Sequence, residues 1–387
     1  MKKFSKPLLT VLITFSLTVF FCFFALFVFL HNCNIPFKKL VKIGTIIDDL
    51  YVGEYDKKQM EENAINAAIE ALGDKYAVYY DEENAKETMQ LLDGYYFGIG
   101  VEVFANAEKN AIEVISAYED SPADKAGIKS GDLIRKVDDT VYTAKNVADA
   151  IYHMKGLGEE KPDKEFSIEL ERNGEHFSVK LKREKINMYK VTSRIVNDIC
   201  YIRYSGFTEE SEKELEKVVK PLDKENVKGI VLDIRNNPGG NLNSAISACD
   251  LFLDDGMIMY TTDKKGTKRE FFATQGASAL PLALLVNSSS ASASEILAGS
   301  LQDRGRAIIV GEKTYGKGVT QTIRYINPFD ETEGAVKITT YKNFTPSGKW
   351  IDASITPDIE VKSEPDKDIQ NDVAFIAAVN AIKVEEK

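Results

Sequence analysis

The spacing of apolar residues changes several times along the chain, and each change marks a different kind of element. Pro7 to Leu30 carries no charge and is rich in Phe, Leu and Val. As a helix its 24 residues would span about 36 Å, enough for a bilayer core of about 30 Å. From 35 to 92, Leu50, Ile65, Ala68, Ile69 and Leu72 recur at helical intervals, with a stop at Leu72-Gly73-Asp74 and a second helix over Asp81 to Leu92. This region reads as a packing or dimerisation element with nothing catalytic in it. From Gly94 to Lys185 short strands take over: Val101 onward, Ile112 to Ile115, one after Gly131-Asp132, and a hairpin of Phe166–Leu170 and Phe177–Leu181 across Asn173-Gly174. Two helices interrupt them, a short one at Ser121-Pro122-Ala123 and another over Asn146 to Met154. From Met188 strands and helices alternate, which predicts an α/β domain. Its strands are expected at Ile199–Tyr204, Gly229–Ile234, Leu282–Val286, Ala307–Val310, Thr320–Tyr325 and Val336–Thr340. Helices are expected at Glu209–Val219, Leu242–Leu253 and Ala293–Gln302, with an amphipathic helix over Glu364–Lys383.

Charge and cysteine usage narrow the classes. The 387 residues suffice for two or three domains. The formal net charge is −11, and every charged residue before Asp48 is a lysine (Lys2, Lys3, Lys6, Lys38, Lys39, Lys42). The body is therefore more acidic still, which argues against a nucleic-acid partner. The apolar run exceeds that of a signal peptide, and its far end, Phe-Val-Phe-Leu-His-Asn-Cys, offers no small-x-small exit. An uncleaved single-pass anchor in the cell membrane is expected, with the body outside the cytoplasm. Lysines flank both ends, so the positive-inside rule barely discriminates, and the outward placement rests on the short lead before the helix. Asn32 before Cys33 makes a poor lipobox. Cys22, Cys33, Cys200 and Cys249 form no CxxC pair, and Cys200 and Cys249 read as buried thiols. There is no HExxH and no His/Cys cluster, so neither metal nor cofactor is expected.

The chemistry concentrates between Leu282 and Gln321. A strand runs into the serine cluster of Ser288, Ser289, Ser290, Ser292 and Ser294, and a helix follows. After a further strand, Lys317 stands between Gly316 and Gly318, with Gln321 four residues on. A serine hydrolase whose general base is lysine needs this layout. The three histidines, His31, His153 and His176, all lie outside the second half, so a histidine base would come from another domain. Gly311 to Lys317 nearly spells a phosphate-binding loop, but Gly318 replaces the Mg²⁺-binding hydroxyl and Val319 to Tyr325 alternates as a strand, not a helix.

The segments FGIGV, SPADKAGIKSGDLI and NVADAI closely resemble a PDZ domain. Its Gly-x-Gly loop, here Phe97, Gly98, Ile99 and Gly100, turns backbone N–H groups toward a carboxylate, and the next strand offers an edge to an extended peptide. Together with IVLDIRNNPGGNL, SASASEILAGSLQD, GEKTYGKGVTQ and TPSGKWIDASITPDI, in this order, the chain resembles the C-terminal processing peptidases, serine peptidases with a Ser-Lys dyad. The resemblance implies a nucleophile at Ser292, a base at Lys317 25 positions later, and an orienting residue at Gln321. The N–H of Ala293, with that of Gly239 or Gly240, would supply an oxyanion hole at a helix N-terminus. Lys317 must work neutral, which from a reference pKa near 10.4 needs a shift of roughly 3 units, or about 4 kcal/mol. No acid lies close to it in sequence, and Ser288, Ser289, Ser290 and Ser294 read as solvated or helix-capping residues. The family also implies a protein or peptide substrate with a free C-terminus, a PDZ domain that blocks the site until peptide binds, and terminal helices able to form a homodimer. Relatives often carry arginine where Lys155 stands, so Lys155 is a weaker candidate for coupling the PDZ domain to the protease. The expected architecture is an α/β catalytic core (186–362) with an inserted-type PDZ-like β domain (94–185). A membrane anchor (1–34) and a helical region (35–93) precede these, and a C-terminal helix (363–387) follows.

Overall fold

The computed structural model describes residues 14–21, 38–92, 94–118, 120–156, 164–327, 329–362 and 368–385. Most of the expected anchor, Cys22, Cys33, His31 and residues 157–163 lie outside these. Residues 14–21 are helical, and among the described residues no helix is long and apolar enough to cross a membrane. The chain divides into two compact units, Met1–Ala64 and Ile65–Lys387. In the first, α1 (Lys38–Leu50) leaves Leu40, Val41, Ile43, Ile46 and Leu50 exposed. Helix α2 (Lys57–Glu70) starts in the first unit and ends in the second, where Gly73 turns the chain with φ +63°. A short strand that periodicity did not reveal follows, β1 (Val78–Tyr80), then α3 (Glu82–Leu92).

The PDZ-like module follows the expected order. An antiparallel ribbon of β2 (Tyr95–Gly98) and β9 (Glu184–Asn187) closes its two ends. Between them run β3 (Val101–Asn106), β4 (Ala111–Ala117), α4 (Pro122–Lys125), β5 (Leu133–Val137), β6 (Thr140–Val141), α5 (Val147–Lys155), β7 (Phe166–Arg172) and β8 (Glu175–Leu181). The sheet order is β3-β4-β5-β7-β8, with β6 on β5. Strand β3 is thus an edge, the place where an extended peptide can add itself.

The α/β half is built on a sheet ordered β10-β11-β12-β15-β16-β19: Val191–Val196, Ile199–Tyr204, Gly229–Asp233, Leu282–Val286, Ile308–Gly311 and Ile359–Glu360. Only β10 runs antiparallel to its neighbour. Strands β12 and β15 are buried at every position, as parallel strands covered on both faces must be. Their alternate residues divide between two cores. Ile230, Leu232 and Leu284 face α6 (Glu209–Leu222), α7 (Leu242–Asp250) and α8 (Ala293–Asp303). Val231, Ala283 and Leu285 face α9 (Val373–Glu385). That last helix begins at Val373, not Glu364, after a 3₁₀ turn at Ile369–Asn371. It buries Ala374, Phe375, Ala378 and Ile382 against the sheet and so forms part of the core.

A second sheet joins β13 (Met257–Thr262), β14 (Lys268–Phe272), β17 (Val319–Asn327), β18 (Asp330–Phe344) and β1. Strand β18 extends well beyond the expected Val336–Thr340. It pairs with β17 along its length, and β1 pairs with it from the N-terminal side, Val78–Tyr80 against Ala335–Lys337.

Candidate active site

Strand β15 ends in a loop that the expected nucleophile closes. Ser292 precedes α8 with φ 55° and ψ −112°, and it is the sole residue of the serine cluster at positive φ. A side-chain-bearing residue there stores backbone strain, a feature that clusters at functional sites. The other serines divide into two groups. Ser288 and Ser289 are exposed as expected. Ser290 and Ser294 are buried and neither solvated nor capping: the Ser290 hydroxyl donates to Ile234 O at 2.8 Å and that of Ser294 to Asn237 O at 2.9 Å. They tie the nucleophile loop to the Asn-Asn-Pro-Gly-Gly loop after β12. Asn236 and Asn287 reinforce this joint, Asn287 donating to Asn236 Oδ1 at 2.7 Å and accepting from Asn236 N at 2.9 Å.

That second loop brings Gly239 against Ser292. A Cβ at Gly239, whose φ is +102°, would lie 2.7 Å from Ala291 O and 2.9 Å from both Ala293 N and Ser292 Cβ. Its own N–H, however, donates to Asn237 Oδ1 at 2.9 Å. Gly240 bridges to Phe207, where a Cβ would meet Phe207 O at 2.1 Å.

The Lys317 turn is held by a residue the sequence did not single out. Glu295, three positions after Ser292 and fully buried, accepts four hydrogen bonds. Its Oε2 receives Ser292 N and Lys317 N, both at 2.8 Å. Its Oε1 receives Gly316 N at 2.7 Å and the Thr314 hydroxyl at 2.6 Å. One carboxylate therefore fixes the backbone of both expected dyad members. The Ser-x-x-Glu spacing at a helix start is a capping-box signal that could have pointed to it. Gly318 N continues the pattern, donating to Asp352 Oδ1 at 3.1 Å, while Gly318 O accepts from Trp350 Nε1 at 3.0 Å. A Cβ on Gly318 would sit 2.0 Å from Asp352 N. The TPSGKWIDASITPDI segment thus forms the floor under Lys317.

The Lys317 side chain is half-buried, its Nζ 4.9 Å from the centroid of the Tyr76 ring. Its pKa lies below the ordinary lysine value, chiefly through burial and further through Lys337 and Lys75, with the Glu295 charge opposing. No acid is close in sequence, but Glu295 is close in space, held on backbone amides. Among the described residues no hydrogen bond joins Lys317 Nζ to Ser292 Oγ or to Gln321. The Gln321 amide instead lies 3.5 Å from Val319 O of its own strand.

Lys155, at the end of α5, pairs with Glu87 of α3 and lies 5.8 Å from the Tyr96 ring. The guanidinium at the end of α5 belongs to the buried Arg183, whose Nε and Nη2 donate to Met154 O at 3.0 Å and His153 O at 2.7 Å. Of the loop expected to bind a carboxylate, Phe97 is exposed while Gly98, Ile99 and Gly100 are buried. Gly100 at φ +74° leaves no room for a Cβ beside Ser121. Below the site, buried Arg235 spans Asp233 at 2.7 Å and Asp372 at 2.7 Å. Asp372 also caps α9 through Ala374 N and Phe375 N, joining the last helix to the strand that carries the glycine loop. Cys200 and Cys249 are free, buried thiols.

Residues 198–361 match the peptidase family S41, and residues 96–182 match the PDZ domain. The carboxy-terminal-processing protease of Bartonella bacilliformis is 37% identical over 347 residues, covering 86% of this chain and 77% of the relative. The carboxy-terminal processing protease CtpB of Bacillus subtilis is 32% identical over 337 residues, covering 85% and 68%. Among solved structures, the photosystem II D1 C-terminal processing protease aligns with a TM-score of 0.50 at 26% identity, over 80% of this chain and 84% of that one.

Proposed function

Because the chain belongs to peptidase family S41, among the carboxy-terminal-processing serine proteases, we propose that Ser292 and Lys317 form its catalytic dyad and that its PDZ domain recruits free C-terminal tails. The observation that carries this reading is the Glu295 carboxylate, which holds the backbone of both residues at once. Neutral Lys317 takes the Ser292 proton as Oγ attacks the scissile carbonyl. The N–H of Ala293, at the start of α8, and that of Gly240 receive the developing oxyanion, since the Gly239 N–H is engaged by Asn237. Lys317 then returns its proton to the leaving amine, and water, deprotonated in turn by Lys317, hydrolyses the acyl-enzyme. Gln321 orients the base once substrate draws Lys317 toward Ser292, as hydrogen bonds of resting hydrolases tighten on binding. Through Pro7 to Leu30 the protein is anchored in the cell membrane, its body outside the cytoplasm.

The direction of the pH dependence follows. The protonated amine cannot accept a proton, so kcat/KM rises with pH through the Lys317 pKa, at a lower pH than an ordinary lysine would give. The test is cleavage of an unfolded protein with a free C-terminus beside its amidated counterpart, by the wild-type chain and by Ser292→Ala and Lys317→Ala. Cleavage of the free form alone, lost in both variants, is the expected result. Sustained turnover by either variant refutes the dyad, and equal cleavage of both substrates refutes tail recognition.

A further inference from the structure

The base is covered by a residue from outside the catalytic domain as the sequence divides it. The link between α2 and α3 is pinned to β18 at two points. Asp74 Oδ2 accepts from Thr339 N at 3.3 Å, and β1 pairs with Ala335–Lys337. Asp74 Oδ1 also accepts from Tyr76 N at 3.0 Å, which fixes the local turn. These anchors deliver the Tyr76 ring to Lys317, with Nζ 4.9 Å from its centroid. Lys75 Nζ lies 4.8 Å from the same centroid. Tyr76 Oη is buried and has no hydrogen-bond partner among the described residues. The ring, and not a hydrogen bond of the hydroxyl, is what reaches Lys317.

We propose that Tyr76 is a positioning residue for the general base, its ring shielding the Lys317 amine from water and fixing its rotamer. The inference rests on the Ser292–Lys317 reading above. A ring face attracts an ammonium, but that attraction is smaller than the desolvation of a buried lysine, which reaches several pH units. Net, the cover favours the neutral base. The charges around Lys317 come from every side: Lys337 on β18, Lys75 beside the ring and Glu295 on α8, the two lysines opposing protonation and Glu295 favouring it. Asp74 and Asp352 sit beyond, facing Lys337 and Lys75 respectively. Lys75 also interacts with Tyr76, over its ring and with its hydroxyl, so Tyr76→Phe, which removes the hydroxyl and keeps the ring, separates the cover from the Lys75 charge.

The experiment is kcat/KM against pH for the full chain, with an unstructured peptide bearing a free C-terminus, in the wild type, Tyr76→Phe, Tyr76→Ala and Lys317→Ala. Tyr76→Phe should keep the wild-type acid limb, because the ring that covers Lys317 stays in place. Tyr76→Ala should move that limb to higher pH by about one unit, a tenfold loss at a pH below it, with the rates converging under alkaline conditions. If the alanine chain does not fold by circular dichroism, Tyr76→Val gives the same test with a milder truncation. A loss uniform across pH, or a phenylalanine variant as displaced as the alanine one, overturns the proposal. Should Lys317→Ala retain turnover, the dyad reading fails and this inference with it. An inactive Lys317→Ala beside an unshifted Tyr76→Ala refutes the role of Tyr76 alone.

Discussion

Replacing Glu295 with glutamine exchanges one oxygen of a buried carboxylate for an NH₂ group amid four donors. Two donors meet each oxygen, so the outcome depends on which oxygen is lost. With NH₂ in place of Oε2, both Ser292 N and Lys317 N are left facing a donor. With NH₂ in place of Oε1, the Thr314 hydroxyl can turn to accept, although it already accepts from Ile355 N at 2.7 Å, and Gly316 N alone is stranded. The second arrangement is the cheaper. It leaves one buried donor unsatisfied at about 1–3 kcal/mol, and the two surviving amide bonds lose charge assistance at about 1 kcal/mol each. Relief from burying a charge offsets part of this, leaving a net loss of about 2–4 kcal/mol. At a urea m-value of about 3 kcal/mol/M the unfolding midpoint should fall by about 1 M. Because the stranded amide is in the turn that carries Lys317, kcat should fall about 100-fold, the effect of misplacing a reacting group by about 1 Å. Urea melts followed by intrinsic fluorescence, with kcat on a tail-bearing peptide, test both. A variant with the wild-type midpoint and turnover within twofold would refute the claim that one carboxylate organises nucleophile and base.

Three further outcomes are expected. Arg235→Ala removes the buried guanidinium that joins Asp233 to Asp372, and although Asp233 keeps Arg203 and Tyr201, the loss of the cation beside buried Asp372 should cost about 3–5 kcal/mol in a denaturant melt. Gly318→Ala places a methyl carbon 2.0 Å from Asp352 N, so the Lys317 turn must shift. Turnover should collapse while a fluorescent C-terminal peptide still binds the PDZ domain with wild-type affinity. Lys155→Ala removes the ion pair between α5 and Glu87 of α3. If that pair transmits PDZ occupancy, tail-stimulated cleavage should fall several-fold at saturating peptide with peptide affinity within threefold, and unchanged stimulation would end the coupling role.

Local pattern was enough for most elements. The runs at Gly229 and Leu282 read as buried strands because parallel strands covered on both faces are apolar throughout. The Asn173-Gly174 hairpin and the strand after Lys317 were equally legible, since turn residues and period-two alternation act over a few neighbours. Short motifs in order were enough to identify the family. What the pattern could not reach is whatever one segment does to another. Strand β1 is three residues long and acquires meaning only by pairing with β18. The helix at the end of the chain looked separable, yet Asp372 joins Arg235 across 137 positions. Ser290 and Ser294 looked like surface and became rivets between two loops. The same holds for Lys317: the sequence shows a lysine between two glycines, placed as the resemblance expects a general base. The lowering of its pKa comes from burial and from Lys337 and Lys75, and the Tyr76 ring reaches it through a link that Asp74 and Thr339 pin across 265 positions. Desolvation and charge act through space, so only the folded chain decides them.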